Sequence, residues 1–162
     1  MPKLSTTEDF SRHVRISFRK QKIMKLFQAR ISRLERGLVE ISAKNRPDLE
    51  QQDGYVHAGA FVTLADSAGG YAALTLLPSG SRVLSVEVKL NFLKPAVGSM
   101  IRGRGRVKKM GRTIAVCELE AMMKQDQKWI TCDWGSQTIY CIRNSREHSR
   151  DRPHHREGLC PH

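Results

Sequence analysis

From Leu84 to Phe92 apolar and polar side chains alternate: Leu84, Val86, Val88, Leu90 and Phe92 interleave with Ser85, Glu87, Lys89 and Asn91. A period of two predicts a strand of about ten residues, closed by Pro95. Just upstream the pattern changes. The segment from about Ala58 to Leu77 is almost continuously apolar and stops at Pro78-Ser79-Gly80, which predicts one long helix. Nearer the N-terminus, Phe18, Ile23, Met24 and Phe27 are separated by cations and predict a short amphipathic helix over residues 17–27. Residues 29–35 and 38–42 alternate around Arg36-Gly37, the pattern of a hairpin. Asn45 to Asp48 reads as a turn leading into a polar loop, Leu49 to Asp53.

Three further segments follow the central strand. Ile101 to Lys109 and Thr113 to Met123 flank Met110-Gly111 as a second hairpin. A loop of about three residues would set Arg102 opposite Glu120 and Arg104 opposite Glu118. A turn at Gln125-Asp126-Gln127 leads to a last strand, Trp129 to Cys141. The predicted order is therefore helix, two short strands, one long helix, and four strands in a meander. One long helix against one antiparallel sheet is an α+β layer architecture. A helix of about 20 residues is about 30 Å long, so the sheet has to curl to cover its apolar sides. The expected division is an N-terminal tail with a short helix (1–28), a folded domain (29–142) and a tail (143–162) that lacks periodicity and is expected to be disordered.

Composition narrows the class. An apolar fraction of 40% and a charged fraction of 27% are ordinary for one globular domain of 162 residues. The four cysteines have neither CxxC spacing nor a metal-ligand cadence with histidine, and the first ten residues do not resemble a signal peptide. These features predict free thiols, a cytoplasmic location, no metal and no cofactor. The helix from Ala58 carries Asp66 and is an unsuitable membrane span. The net charge of +12 is patchy: residues 1–28 contribute +5, residues 99–112 contribute +6 and the last twenty +2. Such patches attract anionic ligands, phosphates foremost, as in nucleic acid or coenzyme A. In the second patch, Arg102, Arg104 and Arg106 are explained by Glu118 and Glu120, whereas Lys108, Lys109 and Arg112 lack such partners. Lys108, Lys109 and Arg112 are therefore candidates for binding the phosphates of coenzyme A.

Asp66 is the one carboxylate in the apolar helix, and no Lys or Arg lies between Arg46 and Arg82. An ionised carboxylate buried without a partner is costly, which makes it a candidate for chemistry. His57 lies nine residues before it, about 13 Å along a helix axis. Backbone N–H groups at the helix start, Ala58 and Gly59, would form an anion site able to hold the oxyanion of a tetrahedral intermediate. They lie too far from Asp66 to act with it on one carbonyl within a single chain. Two chains with antiparallel helices would bring one helix start beside the other chain's Asp66, acting as general base on water or as nucleophile. This geometry implies a two-fold homodimer with two equivalent sites.

Three ordered motifs carry a family resemblance: residues 51–59 (QQDGYVHAG), 64–73 (LADSAGGYAA) and 83–95 (VLSVEVKLNFLKP). Over about residues 10–142 the chain resembles hot-dog thioesterases of the phenylacetate-pathway (PaaI-like) type. The resemblance implies a long central helix wrapped by a curved antiparallel sheet, and hydrolysis of an acyl-CoA, aryl or medium to long chain, to free acid and CoA. It implies that Asp66 activates water or attacks the thioester, that the Ala58 N–H polarises the carbonyl, that His57 shapes that turn and that Ser85 positions the water. The family commonly has Gly where this chain has Ala58, and some relatives have Asn where it has Gln51, a candidate substrate contact. Gly69 and Gly70 are further candidates, because glycine in a helix interior costs roughly 1 kcal/mol and close approach of pantetheine would account for it. Assembly as a dimer or a dimer of dimers is implied. The alternative is a non-catalytic acyl-CoA or nucleic-acid binding module. Nucleic acid is disfavoured because no helix-turn-helix precedes the domain and only ten aromatic residues are available for stacking. A hot-dog dehydratase ranks last, since His57 and Asp66 do not supply its histidine–acid arrangement.

Overall fold

The structure, a computed structural model, describes residues 7–144. Residues 145–162, which hold Cys160 and nearly all of the expected disordered tail, lie outside the described residues. In chain order the elements are α1 (Thr7–Lys20), α2 (Lys22–Leu26), β1 (Arg30–Glu35), β2 (Leu38–Lys44), a 3-10 turn (Pro47–Leu49), α3 (Ala58–Leu74), β3 (Arg82–Phe92), β4 (Met100–Met110), β5 (Ile114–Gln125) and β6 (Lys128–Ile142). The architecture is the α+β hot-dog arrangement: α3 lies across one six-stranded antiparallel sheet.

Two expectations about order change. The sheet runs β1-β2-β4-β5-β6-β3, so only β4, β5 and β6 form a meander. β3 pairs with β6 instead of β4, with Arg82 opposite Ile142 and Phe92 opposite Asp133. β4 takes the free edge of β2, with Lys44 opposite Met100, and β3 is left to close the far side. The N-terminal helix also begins earlier than expected. Phe10, Val14 and Phe18 recur every four residues and extend the apolar stripe upstream. Val14 is fully buried, and the Phe18 ring lies 5.8 Å from that of Tyr71. The chain breaks at Gln21, which is extended (ψ 103°), and the five-residue α2 then buries Met24.

Under α3 lies a core of Ile41, Leu64, Ile101, Leu119, Met123 and Ile139, all fully buried. Each such side chain stabilises the fold by about 1.5–3 kcal/mol. Gly103 and Gly105 let helix and sheet approach this closely. A Cβ on Gly103 would overlap the backbone of Leu64 and Ala65, and one on Gly105 that of Ala68 and Gly69. The β4–β5 register lies two residues from the expected one, with Arg104 opposite Glu120 and Arg106 opposite Glu118. β4 runs on to Met110, opposite Ala115, which displaces the register by three residues, and a bulge between Val107 and Lys109 takes back one. The arginines of β4 are nevertheless mostly structural. Arg102 and Arg104 both reach Glu40 on β2 (3.0 and 2.8 Å), which is 4% exposed, and Arg104 also reaches Glu120 at 2.9 Å. Lys108, expected to be unpaired, lies 3.1 Å from Glu118.

Among the described residues no helix is long and apolar enough to cross a membrane. Cys117, Cys132 and Cys141 are free and buried. Burial pushes the Cys117 thiol up to about 12, so it stays protonated and unreactive.

Candidate active site

Asp66 sits half-buried in the middle of α3, on the side that faces β3 and β6. Ser85 Oγ donates to its Oδ1 at 2.5 Å. Gln137 Nε2 donates to the same Oδ1 at 2.6 Å, to Ser85 Oγ at 2.9 Å and to the Asp66 carbonyl at 3.1 Å. The absence of a nearby cation in sequence is thus met by neutral donors from two distant strands. Both side-chain bonds fall on Oδ1, and Oδ2 has no partner among the described residues.

A bulge places Ser85. Strict alternation would put it on the face opposite Val88 and Leu90. The register shifts between Ser85 and Glu87, which inserts Val86 as an extra residue. Ser85 therefore reaches the helix, as do Val88 and Leu90, while Val86 is left exposed. Bulges commonly re-aim side chains beside active sites in this way.

Asp66 opens into a cleft of about 470 Å³ lined by Gly70, Tyr71, Ser85, Lys20 and Arg82. Lys20 and Arg82, from α1 and the start of β3, are its cations. Lys109 and Arg112 line neither this cleft nor the one described next. They stand at the β4–β5 hairpin, where the Arg112 carbonyl accepts from Arg143 Nε at 2.8 Å. The two glycines separate as well. Gly70 lines the cleft, whereas Gly69 faces the sheet, where a Cβ would overlap Gln137 Oε1. Gly69 thus makes room for the amide that holds Asp66 and does not contact the cleft.

The start of α3 lines a separate cleft of about 560 Å³, with Gln51, His57, Ala58, Phe61, Phe92 and Asp133 among its walls. His57 is the N-cap: its Nδ1 accepts the Gly59 N–H at 2.8 Å, so that nitrogen carries no proton. Gly59 therefore has no N–H to spare for a substrate. The Ala58 N–H has no partner among the described residues and remains a free donor at the positive end of the helix. Gln51 organises the preceding loop. Its backbone N–H donates to the Tyr55 carbonyl at 2.8 Å, and its Oε1 accepts the Asp53 N–H.

Two polar residues of the site were not anticipated from the sequence. Gln137 and Asp133 are each 1% exposed and lie on the helix-facing side of β6. A signal exists, because Asp133, Gly135, Gln137, Ile139 and Cys141 alternate with the more exposed Trp134, Ser136, Thr138 and Tyr140. Polar residues at the inward phase of a strand require a partner or a function.

The thioesterase superfamily model matches residues 53–130. A crystal structure of a thioesterase family protein from Silicibacter pomeroyi is 37% identical and superposes with a TM-score of 0.80 over 83% of this chain and 99% of that one. This chain belongs to the thioesterase superfamily. It is a thioester hydrolase with a hot-dog fold. The proofreading thioesterase EntH of Klebsiella pneumoniae is 26% identical over 67% of this chain and 79% of its own length. The PaaI protein from the phenylacetic acid degradation operon of E. coli has a TM-score of 0.73 at 18% identity over 86% of this chain and 96% of its own, a likeness of fold. The superfamily match includes His57, Ala58, Asp66 and Ser85, while Asp133 and Gln137 lie beyond it.

Proposed function

We propose that the protein is an acyl-CoA thioesterase whose active site is completed by a second copy of the chain. One observation carries the reading. A carboxylate with one anchored and one free oxygen, and an unpartnered helix-start N–H, occupy two clefts on a single helix, eight residues or about 12 Å apart. Each chain therefore offers two half-sites. Among the described residues β3 is an edge strand of eleven residues without a neighbour on its outer side, and it exposes Leu84 (59%) and Val86 (63%). Long apolar edges of this kind are seldom left open. Antiparallel pairing of two β3 edges about a two-fold axis would run the α3 helices antiparallel and bring the half-sites together. On the outer face of the sheet, exposed Trp134, Tyr140, Ile114 and Val116 suit a dimer of dimers.

In this site the free Oδ2 of Asp66 takes a proton from water as the water oxygen attacks the thioester carbonyl carbon. The oxyanion develops against the Ala58 N–H of the opposite helix start. As the C–S bond breaks, the CoA thiolate leaves with the proton held on Asp66. Ser85 and Gln137 fix the orientation of the carboxylate throughout. Lys20 and Arg82 supply positive charge for the CoA phosphates in place of Lys109 and Arg112, and the aromatic cleft receives the acyl group. Buried free thiols suit a reducing cytoplasm.

The test is hydrolysis of aryl-, short-, medium- and long-chain acyl-CoAs, followed by thiol release. Asp66→Asn should lose a factor on the order of 10² or more in kcat with an unchanged circular dichroism spectrum. An unaltered rate would refute the mechanism. In a single turnover in ¹⁸O-water, label on Asp66 with none in the first acid released identifies an Asp66 anhydride opened at the Asp66 carbonyl, an outcome that direct attack by water cannot give.

A further inference from the structure

Apart from Lys20, the basic side chains of α1 and α2 have no part in the chemistry described above. Between Asp9 and Glu35 the chain holds eight lysines and arginines and no acid. The two helices carry six of them, Arg12, Arg15, Arg19, Lys20, Lys22 and Lys25, and all six are exposed. None of the six forms an ion pair among the described residues. Arg15 Nε donates to the neutral Ser11 Oγ at 3.4 Å. Helix stability explains only part of this charge. Cations are favourable in a last turn, which accounts for Arg19 and Lys20 in α1 and Lys25 in α2. Arg12 and Arg15 lie upstream of that turn, and Lys22 opens α2, the end where the dipole disfavours a cation.

The same surface exposes aliphatic side chains: Ile16 (43%), Ile23 (45%) and Leu26 (66%). Ile16 follows Arg12 by four positions and precedes Arg19 by three, so these three share one face of α1, roughly opposite the inward stripe of Phe10, Val14 and Phe18. In α2, Met24 turns inward while Ile23 and Leu26 remain exposed between Lys22 and Lys25. The core holds this strip in place. Val14, Met24 and Phe27 are buried, and Arg46 Nη2 donates to the Leu26 carbonyl at 2.6 Å.

We propose that the outer face of α1 and α2 docks the protein on a lipid bilayer rich in anionic phospholipids. A bilayer satisfies both components of the strip. Its phosphates attract the cations without a dedicated partner for each, and its headgroup boundary takes up scattered aliphatic side chains. Lysine and arginine stems reach from that boundary to the phosphates. A protein partner would instead call for an apolar centre depleted of charge, whereas Ile16 is next to Arg15, Ile23 next to Lys22 and Leu26 next to Lys25. Single-stranded nucleic acid would call for aromatic side chains on which bases stack. Those of the strip turn inward: Phe10 and Phe27 are buried, and Phe18 packs on Tyr71.

Docking is independent of the thioesterase reading. One consequence does rest on that reading. Ile16 and Lys20 also line the Asp66 cleft, so the docked face borders its mouth. A long-chain acyl-CoA is itself an amphiphile that enters bilayers, and the docked protein would meet it there.

The experiment is flotation of the full-length protein with phosphatidylcholine vesicles, with and without phosphatidylglycerol. Binding should require phosphatidylglycerol and weaken as salt is raised. Arg15→Gln, Arg19→Gln and Lys22→Gln together should lower the partition coefficient by a factor on the order of 10², about fivefold per cation. Leu26→Ser keeps the charge and should lower it about tenfold. Hydrolysis of a short-chain acyl-CoA in solution should be unchanged in both variants, while turnover of a long-chain acyl-CoA carried in the vesicles should fall with binding. Absence of vesicle binding, equal binding to neutral vesicles, or undiminished binding in the triple variant overturns the inference. Salt-sensitive binding to DNA without vesicle binding overturns it as well and assigns the strip to nucleic acid. If circular dichroism shows that the triple variant does not fold, Leu26→Ser decides, and undiminished binding in that variant overturns the inference. Failure of hydrolysis with every soluble thioester would overturn the thioesterase proposal and leave docking in place.

Discussion

Replacing Asp133 by Asn keeps the shape of the side chain but removes its ability to ionise, which makes the burial of this carboxyl measurable as stability. Desolvation raises its pKa from 3.8 to about 7 in the folded chain. The shift is about three units, and each unit is 1.36 kcal/mol, so the full effect is roughly 4 kcal/mol. The sign follows from proton binding. Below about pH 4 the carboxyl is protonated in both the folded and the unfolded chain, and burial carries no ionisation penalty. Between about pH 4 and pH 7 the unfolded chain releases the proton while the folded chain retains it, so stability falls as pH rises. Above about pH 7 the penalty is constant. Asp133→Asn removes it, so the unfolding free energy of the variant minus that of the unaltered protein should climb by as much as about 4 kcal/mol from pH 4 to pH 8. Urea unfolding at one fixed protomer concentration measures this difference and keeps any contribution of assembly constant. Other titrating groups are common to both proteins and cancel to first order. A difference that stays flat across this range would show that Asp133 is ionised and solvated or paired, and would refute the burial argument.

Three other substitutions probe other parts of the molecule. Gln137→Leu removes the donor shared by Asp66 and Ser85, and should lower kcat about tenfold or more with little change in KM; steady-state kinetics on one acyl-CoA decides, and an unchanged kcat would remove Gln137 from the site. Val86→Lys places a charge on the exposed edge of β3 and should give a monomer by light scattering that has lost hydrolysis together with assembly; an active monomer would contradict the shared site. Gly105→Ala drives a methyl into the backbone of α3 at Ala68 and Gly69 and should cost about 1–3 kcal/mol, read as a lower thermal midpoint; an unchanged midpoint would show that helix and sheet separate without penalty.

The elements of the fold were legible because their signals are local. The apolar run from Ala58 and the alternation around Val88 each announce themselves within one segment, and the structure places α3 and β3 there. Pairing was not local. Whether β3 lies beside β4 or β6 depends on which edge β2 leaves open, and no period within β3 encodes that. The β4–β5 turn likewise lies later than expected and sets Met110 opposite Ala115. The resulting two-residue offset changes every cross-strand partner, which is why Arg104 meets Glu120 and Lys108 finds Glu118.

The site divides along the same line. Asp66, His57 and Ala58 belong to one helix and its first turn, so residue type and spacing were enough to single them out. Ser85 came from the resemblance alone, since alternation assigned it to the opposite face until the bulge at Val86 reversed it. Gln137 and Asp133 required the inward phase of β6, which is set by a second bulge at Cys132. Gln137 holds the Asp66 carboxylate beside one cleft, and Asp133 leaves a buried oxygen without a partner among the described residues beside the other. A helix can be read from its own residues, but a side chain that reaches it from a strand about seventy positions away is visible only through the irregularities of that strand. In this chain both strands that flank Asp66 carry such an irregularity near the clefts, at Val86 and at Cys132. Deleting Val86 would remove the bulge yet leave Ser85 in strict alternation with Val88 and Leu90, so Ser85 should still reach Asp66, whereas straightening the strand with Val86 retained would turn Ser85 to the outer face.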